Sequence, residues 1–485
     1  MRKNTFLSKA VTQLLVILFA FFVQFTDKAG SQQIALSAQA MDKRAERGIA
    51  IDSMDYAVSP MYLDSLQSIG CHIYHTSRWM NGATIETNEN TIEQIKQWTF
   101  VDTVYLTRTS ASPTAISQHK RTSAYNNDLD EIIIITDSNK AHLQQKQLNL
   151  HLLHEAGFHG QGITMAIIDG GFQNVDTLSA FDSVRERIMG IYDTTDDKER
   201  VTSSTGSHGT KCFSTIAAKT TDYKGAATAA NYYLIRSEEY RTESPKEIDN
   251  WVAAIELADS LGVDIVSSSL GYAMFDDKRF TLTYQAMDGI STRSSQAATI
   301  ASRKGMLVIV AAGNEGNKAW HYISSPADAD SILSVGAVDA LRNEIAIFSS
   351  WGPSSDGRVK PEVCAVGSGT ALINPLDNKV VHGNGTSFAC PIIAGMAACL
   401  WSALPNASNM EIRQRIIQSA DRYNLPHDQY GYGIPDAWAA YGQTTDIPTI
   451  PNSHAPEVQK VLINGQLWIL RNNEKYDIMG HKHRE

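Results

Sequence analysis

The sequence predicts an α/β fold in which a parallel sheet carries helices on both faces. Near-continuous apolar runs, expected of strands buried on both faces, recur within residues 148–441: ITMAIID, NYYLIR, VDIVSSSL, MLVIVAAGN and SILSVGAVD. Helical segments with recognisable ends separate the runs. Ser244–Glu247 is a capping box that begins one helix, Gly262 ends it, and Gly305 ends the next. Alternation of strand and helix over this length indicates a parallel sheet.

The N-terminus has the order of a secretory signal peptide. Three basic residues lie within the first nine positions, the apolar block Val11–Phe25 follows, and the small residues Ala29–Ser31 come next. The apolar block is shorter than the ~20 residues that a membrane-spanning helix needs. We therefore predict a signal peptide over residues 1–30, and no integral membrane segment after its removal.

A small α+β domain is predicted over residues 31–109. The strand-like runs CHIYH, ATIET and DTVYL alternate there with amphipathic segments such as Thr91–Trp98. The polar stretch TSASPTAISQHKRTSAYNNDLD follows, so residues 110–147 are predicted to form a linker and the start of a mature chain. A maturation site is expected between about Ser110 and Asn126.

The C-terminal residues 442–485 form a spacer and a tail in this interpretation. GQTTDIPTIPNSHAPE is rich in Pro and Thr, and the remainder predicts two or three short strands with turns at Asn464-Gly465 and Asn472-Asn473.

Composition excludes several functions. The chain has 485 residues, 43% of them hydrophobic, and a formal net charge of -10, which argues against a nucleic-acid partner. Neither a phosphate-binding loop nor a dinucleotide fingerprint is present, so we expect no nucleotide cofactor. Five cysteines in a chain of this length do not make a disulfide framework, and we expect buried free thiols.

Three residues at strand ends or helix starts carry chemistry. Asp169 ends the run ITMAIID, His208 begins the helix after STGS, and Ser387 opens the helix that contains Pro391. An acid, an imidazole and a hydroxyl together make an activated serine nucleophile. Each residue also has a structural alternative: a turn cap for Asp169, a neutral structural histidine for His208, and a helix N-cap for Ser387.

Four blocks resemble the signatures of subtilisin-like serine proteases: IIDGG, SHGTKC, VIVAAGNEG and GNGTSFACP, with the acid, histidine and serine in that chain order. The resemblance covers residues 148–441. It implies that Ser387 is the nucleophile, His208 the general base and then acid, and Asp169 its orienter. Asn314 would supply the side-chain donor of the oxyanion hole, together with the backbone N–H of Ser387.

The same resemblance implies where polypeptide substrates bind. Ser269, Leu270 and Gly271 resemble the strand that pairs with an extended peptide, while Ala312 and Gly313 would form the other wall of the first specificity pocket. Main-chain pairing of this kind gives affinity with little sequence preference.

The chain differs from the family pattern after the catalytic aspartate, and it shares a cysteine with one branch of the family. The family usually has Ser or Thr after the catalytic aspartate, and this chain has Gly170. Cys212 lies four residues after His208, as in the proteinase K-like branch, which suggests sensitivity to thiol reagents; the alternative is a packed helix thiol.

No cofactor is expected to be required for catalysis. His151, His154 and His159 lack the H-E-x-x-H spacing of a zinc site, so we interpret them as structural. The acidic run Asp193–Glu199 is a candidate for structural calcium, although it lacks EF-hand spacing.

The flanking regions acquire roles by resemblance. Residues 41–109 resemble a subtilisin-type propeptide, which helps folding and blocks the cleft until it is cleaved. DKRAERGIAIDSMDYAVSPMYLDSLQSIG and HTSRWMNGATIET resemble Bacteroidetes homologues, and NGQLWILRNNEKYDIMGHK resembles the end of their C-terminal sorting tails. This implies bacterial export machinery as a partner and an extracellular or outer-membrane-surface location.

The sequence therefore predicts a secreted serine endopeptidase made as a self-processing zymogen. The alternative is a catalytically inactive subtilisin-like protein used for binding or surface assembly, although such proteins normally lose a triad member. A lipase or esterase would need a G-x-S-x-G elbow, whereas Ser387 lies in GTSFA.

Overall fold

The computed structural model describes residues 18–109, 140–195, 200–203, 206–239 and 242–442, and the backbone of three short strands beyond them. The chain divides into two compact units, one ending at Tyr441 and the other beginning at Gly442. The predicted maturation region, Ser110–Asn126, lies outside the described residues.

The helices and strands of the first unit are as follows. The helices are α1 Ala38–Glu46, α2 Pro60–Ser68, α3 Glu89–Ile95, α4 Lys140–Gln147, α5 Leu150–Glu155, α6 His208–Ala217, α7 Lys246–Ser260, α8 Arg293–Arg303, α9 Thr386–Ala403, α10 Asn409–Gln418 and α11 Ala437–Gly442, the last of which reaches one residue into the second unit. The strands are β1 Phe19–Phe25, β2 His72–Ser77, β3 Gly82–Thr87, β4 Val101–Arg108, β5 Thr164–Asp169, β6 Ile188–Asp193, β7 Asn231–Arg236, β8 Ile265–Ser268, β9 Leu307–Ala311, β10 Leu333–Asp339, β11 Val363–Ser368, β12 Thr370–Ile373 and β13 Val380–Gly383.

The larger sheet confirms the predicted α/β fold. Its seven strands are ordered β11-β10-β9-β8-β5-β7-β6, and every neighbouring pair is parallel. The five predicted runs form β5 and β7 to β10. The two edge strands, β6 and β11, were not predicted. Strand β6 is only partly buried, so it lacks a continuous apolar run.

Helix α9 passes through the centre of this unit. Among the described residues it is the one helix long and apolar enough to cross a membrane, and 89% of it is buried inside the protein. It packs against β8 to β11 and against α6. Its composition is therefore that of a core helix.

The smaller sheet corrects a predicted boundary. Its strand order is β2-β3-β1-β4, so β1 lies between β3 and β4 and pairs antiparallel with both. Within β1, Ala20 and Val23 are fully buried. The predicted domain over residues 31–109 therefore begins no later than Phe19, inside the segment we assigned to the signal peptide. An apolar run predicts a leader and a buried strand equally well, which explains the error.

The α+β domain packs against the carboxylates of α7. Arg44 donates to Asp259 at 2.8 Å and to Asp55 at 2.9 Å, and Arg78 donates to Asp259 at 2.6 Å. Glu256 accepts the backbone N–H groups of Arg78 and Trp79 at 2.9 and 3.2 Å. These side chains are all buried, so the interface excludes water around paired charges.

The residues before the large domain are tied to it as well. Gln144 on α4 accepts the N–H of Ala371 at 3.1 Å, and Gln145 donates to Lys224 O. Helix α4 therefore belongs to the folded domain, although the prediction placed it in the segment 110–147.

The second unit contains the antiparallel strands β14 Gln459–Ile463, β15 Gln466–Arg471 and β16 Glu474–Tyr476. They agree with the short strands predicted for the tail. The predicted turns at Asn464-Gly465 and Asn472-Asn473 lie outside the described residues.

Candidate active site

The four predicted catalytic residues come from different elements, at the carboxyl ends of strands and at the N-termini of helices. Asp169 is the last residue of β5, His208 the first of α6, and Ser387 the second of α9, while Asn314 lies three residues after β9. The carboxyl ends of parallel strands meet at one edge, where α/β proteins bind ligands. The fold thus brings together residues that are up to 218 positions apart in the chain, from Asp169 to Ser387.

Asp169 and His208 form a buried hydrogen-bonded pair. His208 Nδ1 lies 2.7 Å from Asp169 Oδ1, and the N–H of Gly170 donates to the same oxygen at 2.7 Å. Because Oδ1 is an acceptor, we assign the proton to Nδ1 of the imidazole, which leaves Nε2 able to accept another. Asp169 Oδ2 is buried and has no hydrogen-bond partner among the described residues.

The pKa of His208 is raised well above its usual value. Burial alone would lower this pKa, but the negative charge of Asp169 and its hydrogen bond to the ring outweigh burial. The pair therefore favours an imidazolium ion, the species that forms when the ring accepts a proton during catalysis.

Cys212 lies beneath the imidazole. Its Sγ is 3.7 Å from His208 Nδ1 and 3.3 Å from Ser387 O, so one sulfur touches both residues. Burial raises the pKa of the Cys212 thiol to about 11, and the charge of Asp169 adds to this effect. The thiol is therefore protonated near neutral pH, as a packed helix thiol would be.

Ser387 does not cap its helix. Gly385 holds the N-cap position of α9, with φ at 155°, and Thr386 and Ser387 are the first two helical residues. Ser387 Oγ donates to Ser269 O at 3.5 Å, so in this structure it points toward the segment after β8. The helix N-terminus favours negative charge at this position.

Asn314 is oriented by Thr386. The side-chain oxygen of Asn314 accepts the N–H of Thr386 at 2.9 Å and its hydroxyl at 3.0 Å. With Oδ1 engaged on that side, Nδ2 is left to donate elsewhere. Thr386 was not predicted as a functional residue, although it lies inside the block GNGTSFACP. The signal that could have identified it is its hydroxyl group next to the serine.

The predicted substrate-binding residues surround Ser387. Ser269 Oγ donates to Ser387 O at 2.8 Å, which fixes the segment Ser269–Gly271 beside the serine. On the other side, the N–H of Gly313 donates to Thr386 Oγ1 at 3.2 Å, and the N–H of Ala312 donates to Val335 O at 3.0 Å. The two predicted walls therefore flank the start of α9.

Two sets of side chains in the described residues place three metal-ligating atoms within 4.8 Å of one another. One is Asp169, His208 and Cys212. The other is Glu238, Glu243 and Glu247, where Tyr272 already donates to Glu238 at 2.7 Å and Glu247 accepts two backbone N–H groups. Neither set falls in the predicted calcium run.

That run, Asp193–Glu199, is described only in part. Asp193 accepts hydrogen bonds from Arg236 and from Thr195, and residues 196–199 lie outside the described residues. A calcium site there stays a prediction. In the histidine cluster, His154 lies 2.8 Å from Ala226 O, and burial lowers the pKa of His154 to about 4. The structural interpretation of His151, His154 and His159 stays a prediction.

All five cysteines are buried and unbridged, as the sequence predicts.

Comparison with known proteins agrees with this geometry. Residues 160–433 match the subtilase family, peptidase S8, and residues 20–124 match the peptidase S8 propeptide domain of Bacteroidota. Subtilisin DY of Bacillus licheniformis is 31% identical over 288 residues, which cover 59% of this chain and 92% of that protein.

Two further relatives match a similar share of this chain. A thermostable alkaline protease of Halalkalibacterium halodurans is 29% identical over 295 residues, 60% of this chain and 71% of its own length. Subtilisin E of Bacillus subtilis is 28% identical over 299 residues, 61% of this chain and 69% of its own length.

The fold and these matches define a serine peptidase that carries its own propeptide domain. The chain belongs to the subtilase family. The propeptide match begins at residue 20, within one residue of β1, and so supports the corrected boundary.

Proposed function

We propose that this chain is a secreted endopeptidase that hydrolyses peptide bonds by an Asp169–His208–Ser387 triad and is made as a self-processing zymogen. The observation that carries the proposal is the buried Asp169–His208 pair, 2.7 Å between Oδ1 and Nδ1, beside a serine at the start of α9.

Catalysis begins when Ser387 Oγ turns from Ser269 O toward His208 Nε2. The imidazole accepts the hydroxyl proton while Oγ bonds to the carbonyl carbon of the substrate, whose π electrons move to the oxygen. Asp169 stabilises the imidazolium. His208 then gives the proton to the leaving amine as the C–N bond breaks, and water releases the acyl group by the same steps.

Asn314 Nδ2 and the N–H of Ser387 would stabilise the oxyanion. The side-chain oxygen of Asn314 is held by Thr386, which supports an orientation in which the amide N–H groups face the developing oxyanion. Removal of one such donor typically costs about 3 kcal/mol of transition-state stabilisation.

Polypeptides are the substrates in this proposal. Ser269–Gly271 follows β8 and is fixed against Ser387, so an extended peptide can add to it as a strand and present its carbonyl to Oγ.

The position of the propeptide domain supports self-processing. Strand β4 ends at Arg108, whose Nη1 donates to Glu239 Oε2 at 3.1 Å, three residues beyond the end of β7. Since β7 lies beside β5, the chain leaves the propeptide at the sheet edge that carries Asp169. The segment after Arg108 therefore starts near the cleft.

Export follows from the basic and apolar residues before β1, which we propose as the leader in place of residues 1–30. The strands of the tail, β14 to β16, are proposed to engage bacterial export machinery and place the enzyme outside the cell or on its outer surface.

The experiment compares the full chain with its Ser387→Ala variant. Wild type should release its propeptide and hydrolyse a denatured protein, and the variant should do neither while keeping its thermal unfolding temperature. A wild-type chain that does neither, or a variant that does both, would contradict the proposal and favour a binding role.

A further inference from the structure

Ser324 lies between the two predicted walls of the specificity pocket. A Cβ built on Gly271 would stand 2.2 Å from Ser324 Oγ, and one built on Gly313 would stand 3.3 Å from the same atom. A single hydroxyl thus reaches both walls. Ser324 keeps 6% of its surface exposed.

A second serine lines the Gly313 wall from behind. A Cβ on Gly313 would stand 2.8 Å from Ser350 Oγ, which accepts the N–H of Glu315 at 3.0 Å. The N–H of Ser350 donates in turn to Gly313 O at 2.9 Å. Ser350 therefore holds the wall in place, and Ser324 is the side chain that occupies the space between the walls.

The backbone at Ser324 is anchored by its neighbour. Ser325 and Tyr272 exchange backbone hydrogen bonds of 2.7 and 3.1 Å, which join this segment to the proposed substrate strand. Ser325 Oγ lies 2.6 to 2.8 Å from the hydroxyls of Thr292, Ser294 and Ser295, all buried.

Asp328 completes this anchor. It accepts Ser295 Oγ at 2.6 Å and the N–H of Gly289 at 2.7 Å. Ser325, the residue next to Ser324, is thus fixed by a buried cluster of polar side chains and by the pair of backbone hydrogen bonds with Tyr272. The backbone that carries Ser324 is therefore held in place, so a side chain bound between the two walls must fit beside the Ser324 hydroxyl.

We propose that Ser324 shortens the first specificity pocket, so that the enzyme cleaves after small side chains such as alanine, glycine and serine rather than after aromatic ones. This inference rests on the proposed function. An aromatic ring would collide with Oγ, and an apolar side chain covering it would leave a hydroxyl without water, which is unfavourable. A small side chain fits above it.

The test uses enzyme matured from the full chain and peptide nitroanilides that differ only in the residue before the cut, alanine or phenylalanine. Wild type should show the higher kcat/KM on alanine. Ser324→Gly should raise the phenylalanine-to-alanine ratio by about tenfold or more, the scale of a change in pocket size. Ser324→Ala removes only Oγ and should move the ratio in the same direction.

Ser302→Ala is the matched control, because Ser302 is a buried serine on α8 that donates to Ser331 O away from the pocket. Its ratio should equal that of wild type. A wild type that prefers phenylalanine, or Ser324 variants with an unchanged ratio, would overturn the inference and leave the proposed function intact. A wild type that cleaves neither peptide nor protein would overturn both.

Discussion

Thr386 donates two hydrogen bonds to the side-chain oxygen of Asn314, one from its backbone N–H at 2.9 Å and one from its hydroxyl at 3.0 Å. The residue before the proposed nucleophile thereby sets the direction of the proposed oxyanion donor. The proposed nucleophile and the proposed oxyanion donor are therefore linked by one threonine at the start of α9.

We expect Asn314→Ala to lower kcat by about 10²–10³-fold with little change in KM, because the lost donor acts in the transition state. Thr386→Val keeps the backbone donor and removes the hydroxyl, and should lower kcat by about tenfold, roughly 1.4 kcal/mol. Thr299→Val on α8 serves as the control and should change neither constant. Steady-state kinetics on one peptide measures kcat and KM for each variant. An unchanged kcat in Asn314→Ala would show that Asn314 does not stabilise the transition state.

The pH dependence follows from the raised pKa of His208. Burial lowers this pKa, but Asp169 raises it by more, so the imidazole is neutral and active only at a pH above its ordinary pKa of about 6.5. We expect kcat/KM to fall as the pH drops through that raised pKa. Asp169→Asn should lower kcat by about 10⁴-fold and move the acidic limb of the profile to lower pH. If the acidic limb of the pH profile does not move in Asp169→Asn, Asp169 does not set the pKa of His208.

The same pair links stability to pH. A histidine whose pKa is higher in the folded than in the unfolded protein stabilises the fold fully below the unfolded pKa, and this stabilisation is lost as the pH rises through the folded value. In the Ser387→Ala chain, which avoids self-digestion, His208→Gln should therefore cost more stability at acidic than at alkaline pH. Denaturant unfolding at the two pH values measures the difference.

Gly170→Ser tests the orphaned oxygen of Asp169. Oδ2 has no partner among the described residues, and Gly170 does not have the positive φ that favours glycine. A serine hydroxyl at this position can donate to Oδ2, and we expect it to stabilise the Ser387→Ala chain by about 1 kcal/mol. Gly171→Ser is the contrast, because φ there is +139° and the new Cβ would lie 2.9 Å from Gly206; it should destabilise. Calorimetry would refute the idea if both variants unfolded earlier.

We expect two kinds of thiol reagent to affect activity differently because Cys212 is buried beside His208. Its sulfur is fully buried and its pKa is raised to about 11, so iodoacetamide near neutral pH should leave activity unchanged. A small mercurial that reaches the sulfur should inhibit by displacing His208, 3.7 Å away. Cys212→Ser should abolish that inhibition, while Cys364→Ala, another buried cysteine, should retain it. Resistance of the wild type to mercurials would support a purely structural thiol.

Glu256 is expected to hold the propeptide in place. It accepts two backbone N–H groups from Arg78 and Trp79, which Glu256→Ala leaves without an acceptor in a buried interface. In the Ser387→Ala chain, amide exchange of β1 to β4 should accelerate by about tenfold or more. The exposed Glu344→Ala serves as the control. Equal exchange in both variants would show that other contacts carry the interface.

The large sheet and the positions of the candidate catalytic residues could be predicted because short stretches of sequence indicate both. Asp169 follows a continuous apolar strand, and His208 and Ser387 open helices, so each position can be recognised within about ten residues. The contacts of Ser324 with Gly271 and Gly313 could not be predicted, because they join segments that meet only after folding. The same holds for Arg44 and Asp259, which lie 215 positions apart.

The placement of β1 at the centre of its sheet bears on how the gene can be shortened. A chain begun at residue 31 would keep β3 and β4 but lose β1, the strand between them. One edge of β3 and one edge of β4 would then be unpaired, and the apolar side chains that pack against Phe21 and Val23 would be exposed to water. Unpaired edges of this kind recruit other chains. Expression from that boundary should therefore yield aggregates, whereas a start before Phe19 keeps β1 paired with both β3 and β4.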